Sequence, residues 1–425
     1  MLIFGLLYAG MIGACVGSFL NVVIYRLPEG KSVVSPPSSC PKCGHGLAWY
    51  DNVPILGWIW LKGKCRYCSN PISIQYPIIE AVCALLIVAL YFVYYMTSMR
   101  PDFAAPGLIG TWMVFIGHGV LISGLLAATI IDARLFIIPL GIPWTVILVA
   151  AILLPISVVV NPDAIVEVSV PAMAFLSTIP EPFNNSASVY HAVARGYQAV
   201  VEVSAVPLTG VKGMGLAFGG IIGLVLANVL MRWRIIPRSF DEPLPESESS
   251  STEQTAATPE EQIDEYINYP FARREILKEC LFVAIPLLVA LIGYWLVPED
   301  LGLGAASNAV RALAGVCLGV LGGGAVVWVI RILGSLAFGK EAMGLGDVHL
   351  MAAVGAICGW EVAVLGFFVA PFIGLLFILF VYGLSKAMHR QWTPIPYGPH
   401  LAMGTFVVMI WREPLLSYFG VLMGL

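Results

Sequence analysis

Long apolar stretches recur along the whole chain, and they constrain the fold more than any other feature of the sequence. About 20 apolar residues in a helix span the hydrocarbon core of a bilayer. Of the 425 residues, 59% are hydrophobic and only 11% are charged, whereas a soluble domain carries about 25% charged residues. The sequence therefore predicts an all-α polytopic membrane protein with about 8–10 transmembrane helices. No basic tract indicates nucleic-acid binding.

Ten stretches are predicted to enter the bilayer. They are residues 2–25, 77–96, 109–131, 137–157, 213–231, 278–297, 309–333, 348–360, 361–385 and 398–422. The eighth is short enough to be a partial crossing. The first lacks a basic n-region and an obvious cleavage site, so we expect it to be retained as a membrane helix.

Basic residues predict the orientation, because loops rich in Lys and Arg stay in the cytoplasm. Six of them follow the first helix: Arg26, Lys31, Lys42, Lys62, Lys64 and Arg66. This loop is therefore placed inside and the N-terminus outside. Strict alternation then places the other basic clusters inside too, namely Arg134, Arg232/Arg234/Arg238, Arg273/Arg274 and Lys386/Arg390.

Spans and loops divide the chain into seven segments. They are 1–27, a first membrane helix; 28–76, a cytoplasmic module; 77–157, membrane helices; 158–212, an outer loop; 213–231, a membrane helix; 232–277, a cytoplasmic linker; and 278–425, further membrane helices. The outer loop has mixed polarity and allows either strands or an interfacial structure. Residues 239–272 carry nine acidic residues and no Lys or Arg, which is typical of a disordered linker or a tolerated insertion.

Four cysteines in the cytoplasmic module are spaced as metal ligands. Cys40 and Cys43 form one C-x2-C pair, and Cys65 and Cys68 form a second after 21 intervening residues. Four thiolates suit tetrahedral zinc, and a closed shell indicates a structural site. His45 is a competing ligand, and unligated surface thiols are the alternative. The remaining five cysteines lie in apolar segments and read as small buried hydrophobes.

Two aspartates interrupt apolar segments at the same predicted inner depth. Asp132 lies in "ATIIDARLFIIP" and Asp347 in "GKEAMGLGDVHL". A carboxylate near hydrocarbon is costly and usually functional, and two that meet would share a proton and act as acid and base. Gly344 and Gly346 would give an extended substrate room to approach. Two alternatives stay open: Asp347 as a helix N-cap and Asp132 as an interface residue.

An ordered set of motifs resembles a known family. The set comprises "GSFLNVVIYRLP", the two C-x2-C pairs around "WYDNVPILGW", "QYPIIE", the Asp132 segment, "GLGD" and "PYGPHLA". In this order they resemble the bacterial type IV prepilin peptidases, also called leader peptidase/N-methyltransferases, which are aspartyl proteases of the G-x-G-D class. The resemblance covers most of residues 1–144 and 308–411. Eight crossings are usual in that family, so ten would imply an extra pair.

The resemblance implies an activity and roles for residues. It implies cleavage of the leader from prepilins or pseudopilins of type IV pilus and type II secretion systems at the cytoplasmic face of the bacterial inner membrane. N-methylation of the new N-terminus with S-adenosylmethionine would follow. Asp132 and Asp347 match the catalytic pair, and the four cysteines match the zinc site of a region linked to methyl transfer. Glu80 is a weak candidate for cofactor binding and could equally be an interface anchor.

Two positions depart from the family pattern, and the methyl-donor site is not evident. Leu140 stands where Asp or Asn is common, and His349 stands where Lys is common. No G-x-G-x-x-G follows a strand, and the glycines of "FGGIIGLVLAN" and "VLGGGAVV" are most simply helix-packing residues. The competing functions are a non-catalytic membrane assembly factor that docks partners through its zinc module, and a transporter.

Overall fold

The computed structural model describes residues 2–97, 107–160, 165–171, 190–192, 198–204, 209–239, 272–298, 307–388 and 396–411. Residues 240–271 of the predicted linker, most of the predicted outer loop and the end of the predicted span 398–422 lie outside these ranges. The predictions made for those residues therefore remain predictions.

The described chain is mainly helical. Its helices are α1 (Leu2–Arg26), α2 (Leu56–Trp60), α3 (Gln75–Met96), α4 (Gly107–Leu135), α5 (Gly141–Val160), α6 (Val211–Arg232), α7 (Ala272–Leu296), α8 (Ser307–Phe338), α9 (Leu345–Cys358), α10 (Trp360–Met388) and α11 (Gly398–Ile410). One 3₁₀ turn, Trp49–Asn52, precedes α2.

Three strands lie between α5 and α6. They are β1 (Ile165–Pro171), β2 (Tyr190–Ala192) and β3 (Gln198–Ser204), in the order β1-β3-β2. Strands β2 and β3 are antiparallel, with Tyr190 opposite Val201. The all-α prediction is confirmed for the membrane helices, and the strands fall in the segment of mixed polarity for which the sequence allowed them.

Eight helices within the described ranges are long and apolar enough to cross a membrane, by length and composition. They are α1, α3, α4, α5, α6, α7, α8 and α10. Helices α9 and α11 have 14 and 13 residues. At 1.5 Å per residue they reach only about 20 Å, less than the roughly 30 Å of a bilayer core. The prediction that the segment before residue 360 makes only a partial crossing is consistent with this length.

The chain folds as two compact units. The first comprises residues 1–167, 203–205 and 365–425, and the second comprises residues 168–202 and 206–364. The cysteine module and Asp132 belong to the first unit, whereas Asp347 belongs to the second.

Glycines let helices approach closely within the first unit. Helix α1 packs against α3, and a Cβ added at Gly13 would lie 2.7 Å from the Cα of Ala84. A Cβ at Gly17 would lie 2.7 Å from the Cα of Glu80. Two small residues four apart on one face therefore set the α1–α3 distance, as in membrane helix pairs generally.

The glycine runs singled out in the sequence do the same in the second unit. A Cβ at Gly219 on α6 would lie 2.6 Å from the carbonyl oxygen of Val289 on α7. A Cβ at Gly323 on α8 would lie 2.3 Å from the carbonyl oxygen of Met351 on α9. The helix-packing interpretation of these runs is confirmed. Because α8 and α9 pack closely, the start of α9, which carries Asp347, is held within the second unit.

Candidate active site and metal centre

Both C-x2-C pairs fold into the same kind of turn. In the first, the amide of Cys40 donates to the carbonyl of His45 across 2.9 Å. In the second, the amide of Cys65 donates to the carbonyl of Asn70 across 2.8 Å. Each turn brings its two thiols to one side, so the second pair repeats the geometry of the first.

The two turns bring all four predicted thiols together. The Sγ atoms of Cys40, Cys43, Cys65 and Cys68 lie within 4.8 Å of one another, and those of Cys40 and Cys68 are 3.8 Å apart. Four sulfurs placed tetrahedrally at the Zn–S distance of about 2.3 Å would be about 3.8 Å apart. The donor set and its spacing therefore fit zinc.

His45 is not part of this cluster. Its imidazole stacks on the ring of Tyr67, with the centroids 3.6 Å apart. The group of four metal-ligating side chains found in the described residues contains cysteines alone. The sequence allowed His45 as a competing ligand. In the structure the candidate ligands that cluster are the four thiols, and His45 is not among them.

The thiols differ in how readily they lose a proton. Hydrogen bonds from the backbone and side chain of Asn70 favour the thiolate and lower the pKa of Cys68 to about 6. At Cys43 the amide of His45 also favours the thiolate, but partial desolvation and hydrogen bonds shared with the other thiols outweigh it and raise the pKa to about 11. One ligand is thus ionised at neutral pH before any metal binds, and a bound dication would favour ionisation of the others.

An ion pair holds the 3₁₀ turn to the second cysteine pair. Arg66 donates from Nε to Asp51 across 2.9 Å and from Nη2 across 2.5 Å. The guanidinium lies over the ring of Tyr50 at 5.2 Å. Hydrogen bonding from Arg66 lowers the pKa of Asp51. This pair was not predicted from the sequence, although an Asp and an Arg inside one small cysteine module were the available signal.

Glu80 ties the same module to a membrane helix. It is buried near the start of α3, and its carboxylate accepts a hydrogen bond from the amide of Ile55 across 2.6 Å. Ile55 has φ +62°, which is a rare conformation for a β-branched residue. The Glu80 hydrogen bond thus fastens a strained backbone position to α3, as expected of an interface anchor.

Asp132 lies near the C-terminal end of α4 and is 7% exposed. Its Oδ2 accepts the amide hydrogen of Gly398, at the start of α11, across 2.9 Å. A Cβ at Gly398 would lie 2.5 Å from that oxygen. The structure therefore joins two of the sequence motifs, the Asp132 segment and "PYGPHLA", through one hydrogen bond. A side chain at position 398 would require the carboxylate or the backbone to shift.

Asp347 lies in the first turn of α9, where a carboxylate is favoured by the helix dipole. The N-cap of α9 is Gly344, and the amide of Asp347 donates to the Gly344 carbonyl across 3.2 Å. The N-cap alternative for Asp347 is therefore wrong. Gly344 has φ −71°, and a Cβ there would meet nothing closer than Asp347 Oδ2 at 3.8 Å. The local fold therefore does not require a glycine at position 344. The space beside the Asp347 carboxylate is open.

His349 bonds within its own helix. Its Nδ1 lies 2.8 Å from the carbonyl oxygen of Leu345. The other departure from the family pattern, Leu140, is exposed just before α5. Asp132 and Asp347 belong to different units, so their pairing remains a prediction from the sequence.

Two segments match known families. Residues 11–94 match the Bacterial Peptidase A24 N-terminal domain, and residues 272–379 match the Type IV leader peptidase family. Over these two segments the chain resembles the type IV leader peptidase family. The first matched segment contains the four cysteines and Glu80, and the second contains Asp347.

Several proteins similar to this chain share one name. Proteins called prepilin leader peptidase/N-methyltransferase are 54% identical over 79 residues in Myxococcus xanthus and 39% identical over 137 residues in Klebsiella pneumoniae. These matches cover 19% and 31% of this chain and 24% and 53% of those relatives. A protein of the same name from Aeromonas hydrophila is 23% identical over 432 residues, 95% of this chain and 90% of that relative. No solved structure matches the chain.

Proposed function

We propose that this protein is a prepilin peptidase that cleaves the leader from type IV prepilins or pseudopilins. Asp132 and Asp347 would act as a pair that activates water. The observation that carries the proposal is the placement of Asp132: a carboxylate 7% exposed in a membrane helix, held by the amide of Gly398 across 2.9 Å. A buried carboxylate that is oriented by a backbone amide is suited to chemistry.

The surroundings of Asp347 support the same role. It lies in the first turn of a short helix, and the space for a side chain at Gly344, three residues earlier, is open. A peptide must be extended to be cleaved, and open backbone beside a carboxylate gives such a substrate room. The segment also lies inside the matched peptidase region.

Peptide hydrolysis by such a pair balances without a covalent intermediate. One carboxylate takes a proton from water while the water oxygen bonds to the scissile carbonyl carbon, and the other carboxyl group protonates the carbonyl oxygen. The first carboxyl group then donates its proton to the amine nitrogen and the C–N bond breaks. The second carboxylate takes back a proton from a hydroxyl group of the tetrahedral intermediate as the carboxyl product forms. Each aspartate ends in the protonation state in which it began.

We further propose that the mature N-terminal amine is then methylated, as the names of the relatives indicate. S-adenosylmethionine would supply the methyl group and leave as S-adenosylhomocysteine, and the amine would lose one proton. The zinc module would have a structural part in this reaction, because four thiolates leave no open metal position. Glu80 would contribute by holding the Ile55 backbone, which joins the module to α3.

The proposed location is the bacterial inner membrane, with the zinc module and both aspartates on the cytoplasmic side and the N-terminus outside. The distribution of Lys and Arg supports this orientation. Prepilins or pseudopilins would be the substrates, and the lipid bilayer would surround the eight apolar helices.

Cleavage of a purified prepilin by the reconstituted protein tests the proposal. Asp132→Asn and Asp347→Asn preserve shape but remove the acid–base group, so each should lower kcat at least about 10³-fold. Mass spectrometry of the product reads the cut and the methyl group together. Retained cleavage by either variant would exclude the aspartate pair, and an unmodified amine in the presence of methyl donor would exclude methylation alone.

A further inference from the structure

A buried guanidinium lies beside the segment that leads to Asp347. Arg331 is on α8, within the apolar span Asn308–Phe338, and is 1% exposed. A charge placed there is costly unless it is paired and fully hydrogen-bonded. Its partners therefore show what this part of the fold holds in place.

One edge of the guanidinium faces α7. Nε and Nη2 of Arg331 donate to the carboxylate of Glu279 across 3.2 Å and 3.0 Å. Glu279 is 4% exposed and also accepts from Trp328 Nε1 across 2.8 Å and from Ser239 Oγ across 3.2 Å. The Glu279 carboxylate therefore accepts hydrogen bonds from three side chains, those of Arg331, Trp328 and Ser239.

The remaining nitrogen faces the other way. Nη1 of Arg331 donates to the carboxylate of Glu341 and to the carbonyl of Met343. Both acceptors lie in residues 339–344, which we call the strap, between α8 and α9. The planar guanidinium presents five donors in a rigid fork, so one arginine can bind a carboxylate along one edge and hold further acceptors at fixed positions on another.

A second contact holds the strap. The amide of Ala342 donates to Ser335 Oγ on α8 across 3.0 Å. The strap starts at Gly339, whose φ is +67°, and ends at Gly344, the N-cap of α9. Both ends of the strap are therefore defined, and Asp347 lies three residues after Gly344.

A purely structural α7–α8 clamp would need only the Arg331–Glu279 contact. The additional hydrogen bonds from Arg331 to Glu341 and Met343 connect the guanidinium to the strap. The side chain of Glu341 is 20% exposed, so water could have solvated it without this contact. What the contact adds is a fixed path for the backbone that carries the second aspartate.

We propose that Arg331 and Glu341 are positioning residues that hold the strap and thereby place Asp347 for cleavage. This inference rests on the proposed function. Loosening the strap should lower the fraction of molecules with Asp347 in place, so kcat should fall while KM for the prepilin changes little. A misplacement of about 1 Å can cost about 10²-fold in rate.

The test uses the full chain, reconstituted in lipid, with prepilin as substrate. Arg331→Met and Glu341→Ala should each lower kcat about 10- to 100-fold, with KM within about twofold. Glu341→Gln retains an acceptor oxygen and should recover most of the kcat. Arg311→Met is the matched control, because Arg311 is on the same helix and donates to the carbonyl of Thr209 across 3.2 Å. It should leave kcat close to that of the unchanged protein.

Hydrogen–deuterium exchange supplies a readout that does not depend on activity. Peptides covering the strap should take up deuterium faster in Arg331→Met and Glu341→Ala than in Arg311→Met. If Arg331→Met unfolds the second unit, exchange rises throughout, and the Glu341→Ala and Glu341→Gln pair then decides. Unchanged kcat and unchanged strap exchange in Glu341→Ala would overturn the inference.

Failure of the proposed function would give a different experimental result from failure of the strap inference. If Asp347→Asn still cleaves prepilin, the aspartate mechanism is wrong whatever the strap does. If Asp347→Asn is inactive but Glu341→Ala cleaves at the full rate, only the positioning role of the strap is wrong.

Discussion

Adding a single methyl group at Gly398 would displace the Asp132 carboxylate without changing its chemistry. In Gly398→Ala the new Cβ would lie 2.5 Å from Asp132 Oδ2 and 3.1 Å from its Cγ. Ordinary van der Waals contact begins at 3.4 Å. The carboxylate oxygen or the α11 backbone must therefore withdraw by about 0.9 Å, a distance comparable to misplacements that cost about 10²-fold in rate.

The expected loss in kcat is thus about 10²-fold, equivalent to about 3 kcal/mol of transition-state stabilisation. The amide of residue 398 remains a donor, so the change acts through distance alone. Steady-state cleavage of prepilin by the reconstituted protein measures it. Gly141→Ala is the matched control, because its Cβ would meet Leu27 at an ordinary 3.4 Å, and it should cleave at the original rate.

Stability must be measured on the same samples. Alanine generally favours a helix over glycine by up to about 1 kcal/mol, so a thermal midpoint close to that of the unchanged protein would show that the loss lies in catalysis. Full kcat in Gly398→Ala, with a native midpoint, would refute the idea that this contact sets the position of Asp132.

Two further predictions concern the metal module and helix packing. In metal-free protein at pH 7, iodoacetamide should alkylate Cys68 far faster than Cys43, because pH 7 is above the pKa of about 6 and below that of about 11. The folding stability that the lowered Cys68 pKa contributes is complete above its usual value of 9.0 and is lost as pH falls through about 6. Equal alkylation rates of Cys68 and Cys43 at pH 7 would contradict the difference between their pKa values. Gly355→Ala should lower unfolding stability by about 1–3 kcal/mol, since its Cβ would overlap the Gly319 backbone. Gly324→Ala, whose Cβ has its nearest neighbour at 3.5 Å, should be nearly neutral in thermal unfolding, and similar losses in both variants would contradict the packing argument.

The metal module was predictable because its signal is local. Each C-x2-C pair places two thiols in one turn, and tetrahedral chemistry requires the pairs to meet. The cluster of Cys40, Cys43, Cys65 and Cys68 confirms that prediction. Which neighbours support it was not predictable, because Asp51–Arg66 and Glu80–Ile55 depend on how the intervening loop folds back.

The aspartates were found as outliers in apolar surroundings, but their supports were not. Nothing near Asp132 in the chain indicates that Gly398 donates to it, because such a contact depends on which helices are neighbours. The N-cap interpretation of Asp347 was wrong since the helix starts earlier, at a glycine whose backbone rather than side chain defines the end.

The sequence by itself determined the membrane character, the apolar segments and the four thiols that cluster, because hydrophobic length and cysteine spacing are properties of short stretches. It also singled out Asp132 and Asp347, since an isolated carboxylate in hydrocarbon is costly wherever it lies. Only the tertiary structure decided that Gly398 orients Asp132 and that Arg331 is shared between Glu279 and the strap. Those roles arise from contacts between helices distant in the chain, and a glycine or an arginine acquires them only through its packed neighbours.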